Sequence, residues 1–160
     1  MLRLMNEILF LAGCEPINEA EKKYKNPNII GNKESLGECF DSPEYEDNPY
    51  KSIYKILTEK RGYISHAIYK EGLGWIGFAY GWTNRKNVNK GFGLIHIVLK
   101  HGLSDLYQIP NWIDIGKIDR KNEQTKGKIL ILGDGFKIAL AVNMNNTGKT
   151  FIITGYTKSK

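Results

Sequence analysis

Two stretches of the chain space their apolar residues as amphipathic helices do. They are Leu2–Ala12 and Tyr50–Lys60, and each predicts a helix. A third, shorter helix is predicted where apolar residues recur at positions i, i+1, i+4 and i+5, namely Leu94, Ile95, Val98 and Leu99. Gly102 follows this pattern and predicts the end of the helix, because glycine readily adopts the backbone conformations found there.

β-branched and alternating residues dominate the last part of the chain. Three such runs, separated by short turn sequences, predict an antiparallel meander: Lys128–Leu132, Phe136–Asn143 and Thr150–Tyr156. Trp75–Tyr80 and Trp112–Ile118 are further strand candidates, whereas the polar stretch 86–93 predicts a mobile loop. The order of these elements predicts an α+β fold, in which N-terminal helices precede a helix packed on a C-terminal antiparallel β-sheet.

Charge divides the chain near residue 60. Residues 1–60 carry 8 Lys and Arg against 11 Asp and Glu, and residues 61–160 carry 15 against 6, within a net charge of +6. We therefore expect a helical, partly irregular acidic segment over 1–60 and a basic α+β domain over 61–160. The basic domain should attract polyanions, although a solvated lysine-rich surface has the same composition. The acidic segment could cover the basic domain, and we expect it to be separable from the activity.

Motifs for metal or cofactor binding are missing from the sequence. Cys14 and Cys39 form no CxxC pair and no cluster with histidines, so we expect no zinc site. The glycine-rich stretch 72–77 lacks the spacing of a dinucleotide-binding or Walker loop, and neither HExxH nor GxSxG occurs. The sequence therefore predicts a protein that works without a metal or a cofactor.

The N-terminal sequence contains Leu11-Ala12-Gly13-Cys14, which resembles a lipoprotein cleavage site. The apolar run before it is shorter than the roughly 7–15 residues of a signal peptide, so an amphipathic helix is the favoured interpretation. No segment approaches the ~20 apolar residues that span a membrane. We therefore expect a cytoplasmic protein without a membrane partner, and we keep delivery by phage or secretion as alternatives.

His96 and His101 are the first candidates for chemistry. Five residues on a helix correspond to roughly 140° of rotation, which predicts that the two side chains do not sit side by side on one face. His101 falls at the helix C-terminus, where the helix dipole favours a charged imidazole, and His96 could then act as a neutral base. The alternative is that each histidine is a capping or partly buried structural residue.

Cations and hydroxyls on the predicted sheet are the second set of candidates. Lys117, Arg120 and Lys137 could bind phosphate, and alternation places Lys137 on the face of its strand that is left open beside small residues. Thr154 and Tyr156 share a face of the last strand, where both hydroxyls could contact a phosphate. The alternatives are an ordinary exposed lysine and simple strand propensity.

The decapeptide Gly93–Gly102, which reads GLIHIVLKHG, resembles the helix of a phage-borne nuclease family in the barnase–EndoU–colicin–RelE superfamily. The strand ending Ile152–Tyr156, with Thr154 and an aromatic residue, resembles the last strand of that family, and the likeness covers about residues 74–158. It implies a barnase/EndoU/RelE-like fold, catalytic roles for His96, His101, Thr154 and Tyr156, and a basic residue on the sheet. It also implies a toxin or phage effector, with an inhibitor or immunity protein as a partner.

These features combine into one leading hypothesis, a metal-independent endoribonuclease. RNA supplies its own nucleophile, the 2′-hydroxyl; one imidazole removes its proton and another protonates the leaving 5′-oxygen, which leaves a 2′,3′-cyclic phosphate. The first alternative is a non-catalytic nucleic-acid-binding module that uses charge and the aromatic residues Trp75, Tyr80 and Trp82. The second is a phage structural or adaptor protein of the same fold.

Overall fold

The structure, a computed structural model, describes residues 26–158. These residues form an α+β fold with four helices, α1 (Pro49–Glu59), α2 (Leu94–His101), α3 (Leu103–Ile115) and α4 (Glu123–Lys126). The strands are β1 (Ile29–Gly31), β2 (Tyr63–Lys70), β3 (Gly74–Ala79), β4 (Trp82–Asn84), β5 (Asn87–Phe92), β6 (Lys117–Asp119), β7 (Lys128–Gly133), β8 (Phe136–Ala141) and β9 (Phe151–Thr157). The predicted helix Leu2–Ala12 and Cys14 lie outside the described residues.

The strands form two sheets. A six-stranded sheet has the order β2-β3-β9-β8-β7-β6, and a three-stranded sheet has the order β1-β4-β5. Neighbouring strands are antiparallel except β3 and β9, which run parallel and pair where Gly77 faces Phe151. The large sheet is therefore mixed, and two of its strands precede helices α2 and α3 in the chain.

Helix α3 packs on one face of the C-terminal strands. The alternation predicted for β8 is observed, with Phe136, Ile138 and Leu140 buried and the residues between them partly exposed. Gly155 of β9 allows α3 to approach closely, because a Cβ atom there would lie 3.1 Å from the Ile109 side chain. Apolar residues of α1 join the same core as those of α2, α3 and the large sheet.

Two of the predicted helices are confirmed with their ends. In α1, the Asn48 side chain accepts a hydrogen bond from the Lys51 backbone N–H, and Pro49 occupies the first turn, where a missing N–H is tolerated. Helix α2 ends at Gly102, whose φ of 95° favours glycine. The structure also confirms four predicted strands, which are β3, β7, β8 and β9.

The predicted strand Trp112–Ile118 is wrong over most of its length. Residues up to Ile115 belong to α3, and only Lys117–Asp119 form a strand. Although β-branched residues favour strands, the buried positions of α3 recur at helical spacing, at Leu103, Leu106, Ile109, Pro110 and Ile113. Burial of this stripe against the sheet outweighs local strand propensity.

The predicted loop over 86–93 is also wrong, because residues 87–92 form strand β5, which pairs with β4. Its side chains at Asn87, Asn89 and Lys90 are exposed, which explains why the stretch is polar. The Thr83 hydroxyl donates a hydrogen bond to the Lys90 carbonyl across the hairpin (2.9 Å). An edge strand with polar, exposed side chains therefore resembles a loop in sequence.

The segment before α1 is tied to β2 by polar contacts. The Asp41 carboxylate accepts hydrogen bonds from the Ser65 backbone N–H (2.6 Å) and from the Ser65 hydroxyl. Cys39 forms an isolated bridge with Tyr63.

Across residues 26–158, none of the helices has the length and apolar character needed to cross a bilayer.

Candidate functional site

His101 and Tyr156 meet where α2 ends beside β9. Their rings are stacked, with centroids 4.7 Å apart and an interplanar angle of 17°. The His96 ring lies edge-on to His101, with centroids 6.0 Å apart. The prediction that the two histidines stay apart is therefore wrong: side chains in a helix tilt toward its N-terminus, so the ring of the last residue leans back toward the earlier turn.

Polar contacts fix the helices α2 and α3 against β9. The Gly93 backbone N–H, just before α2, donates to the Ile153 carbonyl (2.9 Å). Asp105 in the first turn of α3 accepts hydrogen bonds from the Thr157 backbone N–H (3.0 Å) and from the Thr157 hydroxyl (2.8 Å).

A break in the β8–β9 register between Thr154 and Ile152 leaves Ile153 as an extra residue. Such bulges re-aim neighbouring side chains and are common beside active sites.

Three of the predicted site residues carry buried polar atoms without a hydrogen-bond partner in the described part of the chain. They are Nδ1 of His96, Nε2 of His101 and Oγ1 of Thr154. Leaving a buried polar atom unpaired costs about 1–3 kcal/mol, so folded proteins keep few of them. Their presence in one region of the fold is typical of a site that awaits a ligand or solvent.

Burial controls the charge of both imidazoles. Burial lowers the pKa of His96 to about 4, and the charges of Lys100 and His101 add to this lowering. The backbone of Val88 and Lys90 has the opposite effect and raises the pKa. Burial and Lys100 also lower the pKa of His101, whereas Asp105 raises it. Both imidazoles are therefore neutral at neutral pH in the free protein, in contrast to the predicted charge on His101.

His96 is covered, whereas the other predicted site residues are partly exposed. Only 3% of its surface is exposed, and strand β5 packs against its helix. His101, Thr154, Tyr156 and Lys137 are each partly accessible. The two histidines therefore differ in access to solvent, since His96 is buried beside the partly exposed His101.

The open face of the C-terminal strands places one cation beside Tyr156. Directly opposed residues of antiparallel strands share a face, and the register aligns Lys117, Leu132, Lys137 and Tyr156 in a row. Strands lie about 4.8 Å apart, so Lys137 neighbours Tyr156, whereas Lys117 stands about 14 Å away at the far edge. Thr154 lies opposite Ala139, which has a small side chain, on the same face as Lys137.

Arg120 does not belong to this group. Its guanidinium donates to the Gly72 carbonyl (2.6 Å) and to the Glu123 carboxylate (3.0 Å), at the turn that joins β2 and β3. These contacts hold the β6–α4 connection to the rest of the sheet. Among the predicted cations, Lys137 is thus the one that the fold brings next to Tyr156.

A family model for phage-Barnase-EndoU-ColicinE5/D-RelE like nuclease1 matches residues 67–160, which is more than half of the chain. The chain belongs to this nuclease family. The match confirms the resemblance drawn from Gly93–Gly102 and Ile152–Tyr156, and it includes every candidate site residue. Comparison with curated proteins and with solved structures gives no match.

Two parts of the candidate site were not predicted from the sequence. Asp105 ties α3 to β9, and its acidic character in a first helical turn was a usable signal once α3 is recognised as a helix. Strand β5 covers His96, but its polar sequence gives no sign of packing. In residues 26–158 of this nuclease, no group of three or more His, Cys, Asp or Glu side chains is arranged to hold a metal ion.

Proposed function

We propose that this nuclease is a metal-independent endoribonuclease whose site lies at the junction of α2 and β9. One observation carries the proposal: His101, stacked on Tyr156, and Thr154 carry buried polar atoms with unused hydrogen-bonding capacity beside an open sheet face with a lysine. Such atoms are suited to hydrogen bonds with a phosphate and a ribose. RNA fits such a site because its own 2′-hydroxyl supplies the nucleophile. Side chains then need only to transfer protons and to stabilise charge.

In the proposed reaction, His101 is the general base. Its neutral imidazole removes the proton from the RNA 2′-hydroxyl, the 2′-oxygen forms a bond to phosphorus, and the bond from phosphorus to the 5′-oxygen breaks. The leaving 5′-oxygen takes a proton from the phenol of Tyr156. The products are a 2′,3′-cyclic phosphate and a free 5′-hydroxyl. A proton then passes from the His101 imidazolium to the Tyr156 phenolate, which returns both groups to their starting states, so atoms and protons balance without an added reactant.

Lys137 and Thr154 serve the phosphate in this scheme. The ammonium group of Lys137, one strand from Tyr156, offsets the negative charge that grows on the phosphorane. The Thr154 hydroxyl, which faces Ala139, donates a hydrogen bond to a phosphate oxygen. Its Oγ1 atom then gains the partner that it lacks in the free protein.

His96 acts as a positioning residue in the proposal. Its burial keeps it away from substrate, and its low pKa of about 4 makes it a poor proton donor at neutral pH. The edge-on contact with His101 orients the second imidazole on the Tyr156 ring. The two-imidazole mechanism expected from sequence is thereby replaced by an imidazole–phenol pair.

The biological setting in the proposal follows from the family. A phage-borne ribonuclease of this type would act as a toxin or effector on cellular RNA, and a producing cell would need an inhibitor or immunity protein. A basic domain that binds RNA is also the natural target of an acidic inhibitor, because opposite charges steer association.

A second candidate is a nucleic-acid-binding module without catalysis, which the burial of His96 favours. Incubation of single-stranded RNA with the wild-type protein and with His101→Ala distinguishes the two. A nuclease cleaves the RNA and loses this activity in the variant. Intact RNA after incubation with folded wild-type protein, accompanied by binding, would favour the module.

A further inference from the structure

Strands β4 and β5 form a ribbon beside the site, over residues 82–92, which we call the basic hairpin. Three cations occur in it, Arg85, Lys86 and Lys90, and no aspartate or glutamate. Arg85, Lys86 and Lys90 are exposed. The ribbon therefore presents positive charge to solvent along its length.

The tip of the basic hairpin is held in place by backbone contacts. The Lys86 N–H donates to the Asn84 side chain (2.9 Å), and the Arg85 N–H donates to the Asn28 carbonyl (2.7 Å). With the Thr83–Lys90 bond across the ribbon, these contacts fix the backbone that carries the exposed side chains of Lys86 and Lys90. A preorganised cationic ribbon binds a polyanion with a smaller loss of conformational entropy.

The basic hairpin is joined to the candidate active site through His96. Strand β5 packs against α2, the helix that carries His96, and the His96 ring lies edge-on to His101. Because a strand advances about 3.3 Å per residue, Lys86 at the tip lies roughly 13 Å along the ribbon from Lys90. A nucleic-acid strand that ran from His101 along the ribbon would meet Lys90 first and Lys86 after it.

The lysines of the hairpin differ from three cations on and just after α1, which are held in ion pairs. Lys51, Lys55 and Arg61 pair with the carboxylates of Glu44, Glu59 and Glu38. Among residues 26–158, no ion pair with a carboxylate engages Lys86 or Lys90. Their charge is therefore available to an external anion, and a phosphate backbone supplies anions at regular intervals.

From these observations we infer that the basic hairpin binds the phosphate backbone of single-stranded RNA next to the site of cleavage. This inference rests on the proposed function and adds the surface by which the substrate is held. Phosphate contacts fix position without reading bases, so the hairpin contributes affinity and register rather than sequence preference. Lys86 and Lys90 supply the charge, while His96 links the ribbon to the reacting groups.

The test is the double variant Lys86→Gln/Lys90→Gln, compared with Lys51→Gln/Lys55→Gln on α1. Fluorescence anisotropy measures binding of a single-stranded oligoribonucleotide of about 12 nucleotides, with 2′-O-methyl groups that prevent cleavage. We expect the hairpin variant to bind about 5–20-fold more weakly and the control variant to match wild type. The slope of log affinity against log salt should fall by about 1.4, at about 0.7 for each lost phosphate contact.

Activity measurements separate this inference from the proposed function. In the hairpin variant, KM should rise by a larger factor for long RNA than for a dinucleotide, because only the long strand can reach both lysines. Unchanged affinity and salt slope would overturn the inference and leave the nuclease proposal standing; such a surface would then suit an acidic protein. Hairpin-dependent binding without any cleavage by wild type would support the inference and overturn the nuclease proposal.

Discussion

The imidazole of His101 lies stacked on the phenol ring of Tyr156, with centroids 4.7 Å apart. This contact joins the last residue of α2 to a residue of β9, so the helix terminus and the sheet together determine where both polar groups point. Stacking restricts the rotation of each ring, so the two side chains hold a fixed orientation relative to each other. The relationship is the geometric basis of the proposed acid–base pair.

Substitutions of His101 and Tyr156 test whether each side chain takes part in the reaction or only packs against the other. His101→Ala removes the proposed base, and we expect kcat to fall by about 10²–10⁴-fold while RNA affinity is retained. Tyr156→Phe keeps the stacked ring but removes the hydroxyl, and we expect a fall of about 10²-fold. Single-turnover cleavage of labelled RNA measures both. Wild-type rates in Tyr156→Phe would limit Tyr156 to a packing role.

The pH dependence of kcat/KM reports the state of the His101 imidazole. The base must be unprotonated, so activity is present above the pKa of His101 and is lost as the pH falls through it. Because burial and Lys100 lower this pKa, the acidic limb should lie below the ordinary value of 6.5. Lys100→Gln should move the limb to higher pH. An acidic limb above 6.5, insensitive to Lys100, would exclude His101 as the base.

Thr154→Val is an isosteric change that removes a buried hydroxyl without a partner. We expect the free energy of unfolding to rise by about 1 kcal/mol, because an unpaired buried hydroxyl destabilises the fold and valine favours strands. Cleavage should slow by about 10-fold, since the phosphate loses a hydrogen bond worth about 1 kcal/mol. Urea unfolding measures the change in the free energy of unfolding, and cleavage kinetics measure the change in rate. A marked loss of stability would show that the hydroxyl has a structural partner.

Asp41 stabilises the fold in a pH-dependent way. Burial alone would raise the pKa of its carboxyl, but hydrogen bonds from the Ser65 side chain and backbone, with Lys149, lower it below 3.8. This stabilisation is present above the unfolded pKa and is lost as the pH falls through the folded pKa. Asp41→Asn should destabilise the protein by about 1 kcal/mol at pH 7, allowing for partial exposure, and less at pH 3. An equal loss at both pH values would contradict this account.

Local patterns made much of the fold predictable from sequence. The caps of α1, the glycine after α2 and the turn residues between β7 and β8 act within a few residues of the elements they bound. Helix α3 and strand β5 were not predictable in this way. The first depends on burial of Leu106, Ile109 and Ile113 against the sheet, and the second on pairing with β4.

The candidate site likewise has parts that local sequence predicts and parts that depend on contacts between distant segments. The helix motif containing His96 and His101, and the strand with Thr154 and Tyr156, could be singled out because they resemble a nuclease family. The burial of His96 depends on β5, and the position of Lys137 beside Tyr156 depends on the β8–β9 register. Contacts between distant segments therefore determine which candidates can reach a substrate.

The most direct test of the account is cleavage of two matched RNA strands in excess EDTA. One strand is all-ribose, and the other carries a single 2′-deoxyribose at the scissile position. The account predicts that the wild-type protein cleaves the first strand to a 2′,3′-cyclic phosphate and leaves the second uncut at that position, because the attacking oxygen is missing. Cleavage of the deoxy position, or activity that disappears in EDTA and returns with Mg²⁺, would contradict it.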